Sequence, residues 1–217
     1  MRRLERPMLV EATDGDYIPI ALGLKAAGYA HPVAILKAWN GEKGGAEFVH
    51  VDKIHAFLQS KFRRAVRGRE CHRDCASWEI KLFIALLGLS GTDFTRNLPL
   101  VSPQKMWAAL GQIVQTFQME RAAAINIQQG KRIVELLYAE AFPKHIDAFS
   151  RRSVWSQAQA SKLGPRNKAL IPTDARILCT LRNVNFLMEY WLAFAPPERI
   201  EEYGFRMRAG GVVEWDD

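Results

Sequence analysis

Apolar residues repeat along this chain mostly at helical spacing, with a few short runs of strand length. Between residues 75 and 89 they cover almost the whole helical surface (Trp78, Leu82, Phe83, Ile84, Leu86, Leu87), the pattern of a buried helix. A second helix is predicted after a polar turn, with Ser102 as N-cap and Pro103 at the first helical position. Its apolar side is Met106, Trp107, Leu110, Ile113, Val114 and Phe117. Earlier in the chain, residues 8–13 read as a short buried strand, followed by a polar turn and a helix ending near Gly28. Residues 31–39 read as a second strand, and EFVHVDKI as a third running into a helix that starts near Asp52. Residues 119–142 predict a long helix, interrupted or kinked near Gly130, with Ile133, Leu136, Leu137 and Ala141 on its apolar face. Residues 150–172 are polar and basic and read as a long loop. Thr173 or Asp174 caps a last helix whose stripe (Ile177, Leu181, Val184, Leu187, Met188, Trp191) is core in character and which ends before Pro196. A small hairpin turning at Gly210–Gly211 closes the chain.

Composition narrows the class. The 217 residues suffice for one domain with a substantial core, and 48% hydrophobic with 24% charged residues is ordinary for a globular protein. The longest uncharged apolar run, residues 82–89, is too short to span a bilayer, and the N-terminus lacks the apolar segment of a signal peptide. Three unevenly spaced cysteines make no disulfide framework and point to a reducing, intracellular compartment. A net charge of +7 is compatible with a nucleic-acid partner without establishing one.

Two places carry candidate chemistry. Asp14 and Asp16 lie two residues apart directly after the first strand, where open α/β sheets bind ligands. Two carboxylates there can hold a hard divalent cation; alternatively, one of them caps the next helix, or Asp14-Gly15 is simply a turn. Asp93 sits at the mouth of the buried helix, where Asp93 or Thr92 could equally cap local backbone. The most basic stretch, residues 61–73, has six Lys or Arg and one Glu, with Arg63, Arg64, Arg67 and Arg69 suited to phosphate or to plain solvation. No aromatic platform is interleaved within it. Arg151, Arg152, Lys162, Arg166 and Lys168 leave the same two choices open. Cys71, His72 and Cys75 lack the second ligand pair a structural zinc site needs, and free cysteines are the better reading.

The run Leu86-Leu87-Gly88, Gly91-Thr92-Asp93-Phe94 and Leu98-Pro99-Leu100-Val101-Ser102-Pro103 resembles the helix–turn–helix region of the flap endonuclease and XPG family of structure-specific nucleases. Thr13-Asp14-Gly15-Asp16 is similar to that family's Asp-x-Asp pair at a strand end, and the intervening order of strands and helix also fits over about half the chain. Two features depart from the pattern. Leu100 and Ser102 replace the usual glycines of the DNA-gripping hairpin, and Leu89 and Ser90 lengthen the spacing after Gly88.

The resemblance implies a helix-rich α/β fold: residues 1–118 as the C-terminal half of a PIN-like parallel sheet with the helix–turn–helix region, and residues 119–217 as a helical extension in the same compact unit. It implies Asp14, Asp16 and Asp93 as catalytic, magnesium-binding carboxylates, with Ser102, Lys105 and Arg96 meeting nucleic acid, DNA before RNA, in the setting of DNA repair. The location implied is nuclear in a eukaryote and otherwise cytoplasmic. The family uses two ions, whose remaining ligands lie upstream of the Asp-x-Asp pair. Only thirteen residues precede Asp14, so a half-site holding one Mg²⁺ at best is expected, completed by an upstream half or a partner chain. Three functions follow: a fragment or reduced relative of a magnesium-dependent nuclease, a non-catalytic nucleic-acid-binding module, or a scaffold that meets only proteins.

Overall fold

A computed structural model describes residues 6–40, 45–66, 77–92, 95, 98, 103–116, 125–141, 174–193, 199–209 and 213–215. The first unit is strand β1 (Met8–Glu11), helix α1 (Tyr17–Ala26) and strand β2 (Val33–Asn40). Strand β3 (Gly45–His50) follows, then helix α2 (Val51–Val66). The α1 crossover lets β1 and β2 pair in parallel, Met8 opposite Val33 and Val10 opposite Ile35. β2 and β3 are joined across residues 41–44, a connection that suits only antiparallel neighbours, and they pair that way. The expected parallel sheet is therefore a mixed, three-stranded one in the order β1-β2-β3.

Alternation along the strands sets its two faces. Val33 and Ile35 are buried at 1% exposure, and Met8, Val10 and Val49 pack against the same core. The other face carries Leu9 beside Ala34, and Leu36 beside Phe48; Leu9 is 62% and Phe48 46% exposed. Among the described residues the helices that contact the sheet are α1 and α2, which pack on β2.

Helices α3 (Trp78–Ser90), α4 (Pro103–Thr116), α5 (Ile127–Ala141) and α6 (Asp174–Ala193) complete the helical layer. α3 is buried nearly all round, as its sequence requires, and α6 packs against α1, α3 and α5 with Leu181, Val184, Leu187 and Met188 fully enclosed. Two glycines allow these close crossings. A Cβ at Gly88 would lie 3.0 Å from Val184, and one at Gly130 would lie 2.6 Å from Leu181. Gly130 thus sits inside α5 without breaking it; α5 begins at Ile127, and residues 119–124 of the expected helix lie outside the described residues. Asn126 precedes α5 and accepts the Gln128 N–H on its side chain, while Asn185 of α6 clamps both backbone groups of Ile125 at 2.7 and 3.0 Å.

A short 3-10 helix (Ile200–Tyr203) follows α6, and after it the expected hairpin of β4 (Phe205–Met207) with β5 (Val213–Trp215), whose expected turn at Gly210–Gly211 lies outside the described residues. Asn183 donates to the Tyr203 carbonyl at 2.7 Å and fixes this segment to α6. Residues 150–172, expected as a long loop, lie outside the described residues. No helix among the described residues is long and apolar enough to cross a membrane.

Candidate metal and nucleic-acid site

Ala12 carries the β1 ladder one residue further through its N–H to the Leu36 carbonyl, and the chain then leaves the sheet. Asp14-Gly15-Asp16 form the turn into α1, at the carboxyl end of a strand in a parallel pair. Asp14 is exposed, and its Oδ1 accepts the Asp16 N–H at 3.2 Å, so the local-turn role is present. Asp16 occupies the N-cap position of α1 but makes no side-chain capping bond. The first turn of α1 closes on the Gly15 and Asp16 carbonyls instead.

The turn around Asp93 is built by two threonines. Gly91 leaves α3 with φ +98°, a value suited to glycine, and its N–H returns to the Gly88 carbonyl. Thr92 and Thr95 exchange both backbone bonds at 3.1 and 3.2 Å. The buried Thr95 hydroxyl donates to the Gly88 carbonyl at 2.7 Å, and its oxygen accepts the Thr92 N–H at 3.0 Å. Leu98, fully buried, then bonds back to Leu89. Thr95 therefore supplies a side-chain cap that closes α3 onto this turn. Asp93, Arg96, Ser102, Arg67, Arg69, Cys71, His72 and Cys75 lie outside the described residues. Among the described residues no three Asp, Glu, His or Cys side chains converge as a metal site.

The described basic residues divide by their surroundings. Arg63 meets the Glu79 carboxylate at 3.1 Å; Glu79 is 2% exposed and Arg63 68%, so this guanidinium is the counter-charge of a buried acid. Arg64 is exposed, and Lys105 lies half-buried in the first turn of α4. Lys25 of α1, its side chain only 5% exposed, pairs with Asp52 of α2 and donates to the His31 carbonyl. The second Asp52 oxygen accepts the Val33 N–H at 2.9 Å, which ties α1, β2 and α2 together at the end of α1 away from the Asp14–Asp16 turn. Burial pushes the Asp52 carboxyl up, but the bonds from Lys25 and Val33 outweigh it and hold it below its ordinary value. His55, one turn further along α2, is held below its ordinary value chiefly by burial, against the pull of Glu79. Its Nε2 is buried without a hydrogen-bond partner among the described residues.

An aromatic row, not anticipated from the sequence, crosses the helical layer. Trp78 meets Phe62 at 5.8 Å, Phe62 meets Trp107 at 6.1 Å, and Trp107 meets Phe57 at 6.2 Å, all edge to face. The row runs from the core to the surface, ending at Trp107 and Phe57, 40% and 51% exposed. Lys61 lies over Phe57 at 5.8 Å. The spacing of Lys53, Phe57, Lys61 and Arg64 places them on one helical stripe, a signal visible in the sequence; Trp107, fifty residues beyond Phe57, is not so visible. On the α3 side of Trp107 a shallow apolar groove is walled by Phe83, Leu87 and Met106.

No family model matches the chain, and no curated protein or solved structure matches it either.

Proposed function

We propose that this chain carries one half of the active site of a magnesium-dependent, structure-specific nuclease of the flap endonuclease and XPG type. The carrying observation is the carboxylate pair Asp14–Asp16 at the carboxyl end of β1, with Asp16 at the head of α1. The donor set suits the metal: carboxylate oxygens close together in sequence at a strand end, with no sulfur or imidazole between them. Asp14, Asp16 and Asp93 would hold one Mg²⁺, which in this chemistry activates water or steadies the leaving oxygen of a phosphodiester. The remaining roles fall to the chain itself. The head of α4, with Ser102 and Lys105, meets a phosphate, because a helix N-terminus favours anions. The acids of the other half come from an upstream segment or a partner chain that pairs along β1. The strand has one edge outside the β1-β2 pairing and an open face bearing Leu9. The chain alone therefore cuts poorly or not at all.

The test is ion binding rather than cleavage. Mn²⁺, followed by its paramagnetic resonance signal, should bind at a single site, and Asp14→Asn, Asp16→Asn and Asp93→Asn should each weaken it by at least about tenfold. Unchanged binding in all three variants would overturn the reading. A second reading, a module that binds nucleic acid without cutting it, is favoured by the cationic stripe of α2, which needs no carboxylate. Under it, binding persists without divalent ions and falls steeply with salt.

A further inference from the structure

We infer that the exposed end of the aromatic row, Phe57 and Trp107, together with the cationic stripe Lys53, Lys61 and Arg64, is a binding platform for single-stranded nucleic acid. It deepens the second reading above, which draws on the same cationic stripe, and does not rest on the carboxylate half-site.

Single exposed apolar residues are ordinary on protein surfaces, but these two are in ring contact and are held from behind. Trp107 touches the fully buried Phe62, which touches Trp78 at 6% exposure, so the outer rings are fixed before any ligand arrives. A fixed ring loses little entropy when a base stacks on it. Among the described residues of α2 and α4, the charge on the ring-bearing stripe is of one sign. The stripe of α2 carries Lys53, Lys61 and Arg64, all exposed, and no acid. Helix α4, which supplies Trp107, has no Asp or Glu from Pro103 to Thr116. The nearest acids of α2 and α3 are already engaged, Asp52 by Lys25 and Glu79 by Arg63, on the other side of α2.

Cations alone would fit any polyanion. The exposed rings choose among polyanions, because each base of a single strand has a π face to stack, whereas duplex bases are already stacked on one another. Lys53, Phe57 and Lys61 follow at four-residue steps, about 6 Å of helix rise each. A phosphate–base–phosphate repeat thus meets cation, ring and cation in order. The apolar groove beyond Trp107 extends the platform for the next base.

The experiment is fluorescence anisotropy of a labelled sixteen-nucleotide oligothymidylate on the full chain in EDTA, so that a failed metal site leaves the result untouched. Phe57→Ala should weaken binding roughly five- to hundredfold with an unchanged salt slope, as removal of base stacking requires. Lys53→Gln with Lys61→Gln should flatten the salt slope by about 0.7 for each phosphate that is no longer neutralised. All three positions are exposed, so the variants should melt with the wild type, and Phe57→Ala should leave the Mn²⁺ signal of the half-site unchanged. Trp107→Phe keeps a ring and should retain most of the affinity. Failure of the wild type to bind, unaltered binding by Phe57→Ala, a duplex of equal length bound as tightly, or polyglutamate competing as well as the oligonucleotide would each overturn the platform.

Discussion

Removing the charge of Asp52 should cost far more than removing the charge of the lysine it serves. The Lys25 side chain is 5% exposed, and its ammonium is satisfied by Asp52 and the His31 carbonyl. Asp52→Asn leaves that ammonium buried and uncompensated, a situation that costs about 3–5 kcal/mol where both partners are enclosed. Here Asp52 is 46% exposed, so water can partly reach the vacated side and the expected cost falls to about 2–3 kcal/mol. Lys25→Met removes the charge from the enclosed side instead. Asp52 keeps its water and the Val33 N–H, and about 1 kcal/mol goes with the bond to His31. In thermal unfolding the Asn variant should melt about 4–10 °C below wild type and the Met variant only a few degrees below. The pH dependence has a definite sign. The folded carboxyl titrates below its unfolded value of 3.8, so its contribution is complete above pH 3.8 and is lost as pH falls through the lower folded value. Wild type and Asp52→Asn should therefore converge in strong acid. A Lys25→Met variant as unstable as Asp52→Asn at pH 7 would refute the reasoning, because the cost would then lie in packing and not in a stranded charge.

Two further perturbations test the packing account. Gly130→Ala gains about 1 kcal/mol of helix propensity but places a Cβ 2.6 Å from Leu181, which is fully enclosed; overpacking of about 1–3 kcal/mol should win, and a variant more stable in urea would contradict the close α5–α6 crossing. His55 is held neutral by burial, so its folded-state contribution is complete above the unfolded value of 6.5 and is lost as pH falls through the lowered folded value. His55→Leu should remove that slope and gain on wild type between pH 8 and pH 5 in denaturant titrations; parallel slopes would count against a neutral, buried imidazole.

Much of the frame was legible because it rests on local pattern. The α6 stripe, the start of α4 at Pro103 and the closing hairpin each follow from residues within one or two turns of each other. The misread features depend on partners far away in sequence. Gly130 carries the local signature of a break, yet Leu181, fifty-one residues on, explains it. The backbone just before α5 is held by Asn185, sixty residues from Ile125. Lys25 sits among apolar residues in a helix and gains its meaning only from Asp52 on another element. The Asp14–Asp16 pair was legible as a strand-end turn, and the structure adds that Asp14 takes one local bond while Asp16 makes no side-chain cap on α1. Thr95 was passed over because its role depends on a turn that folds back on Gly88.

The open side of the sheet connects the fold to the proposed chemistry. A parallel pair is ordinarily covered on both faces, yet among the described residues one face packs on the core and the other exposes Leu9 and Phe48. β1 is also an edge strand, and it ends at the Asp14–Asp16 turn. A strand added in parallel along that edge would bring its own carboxyl end beside the two carboxylates. Completion of the sheet and completion of the ion site would then be one event on one surface. On the proposed reading the two are thermodynamically linked: a partner that pairs along β1 tightens the ion, and the ion tightens the partner by the same factor. If the added strand also ended in carboxylates, the groups that repel one another across the new pairing would be those the cation neutralises.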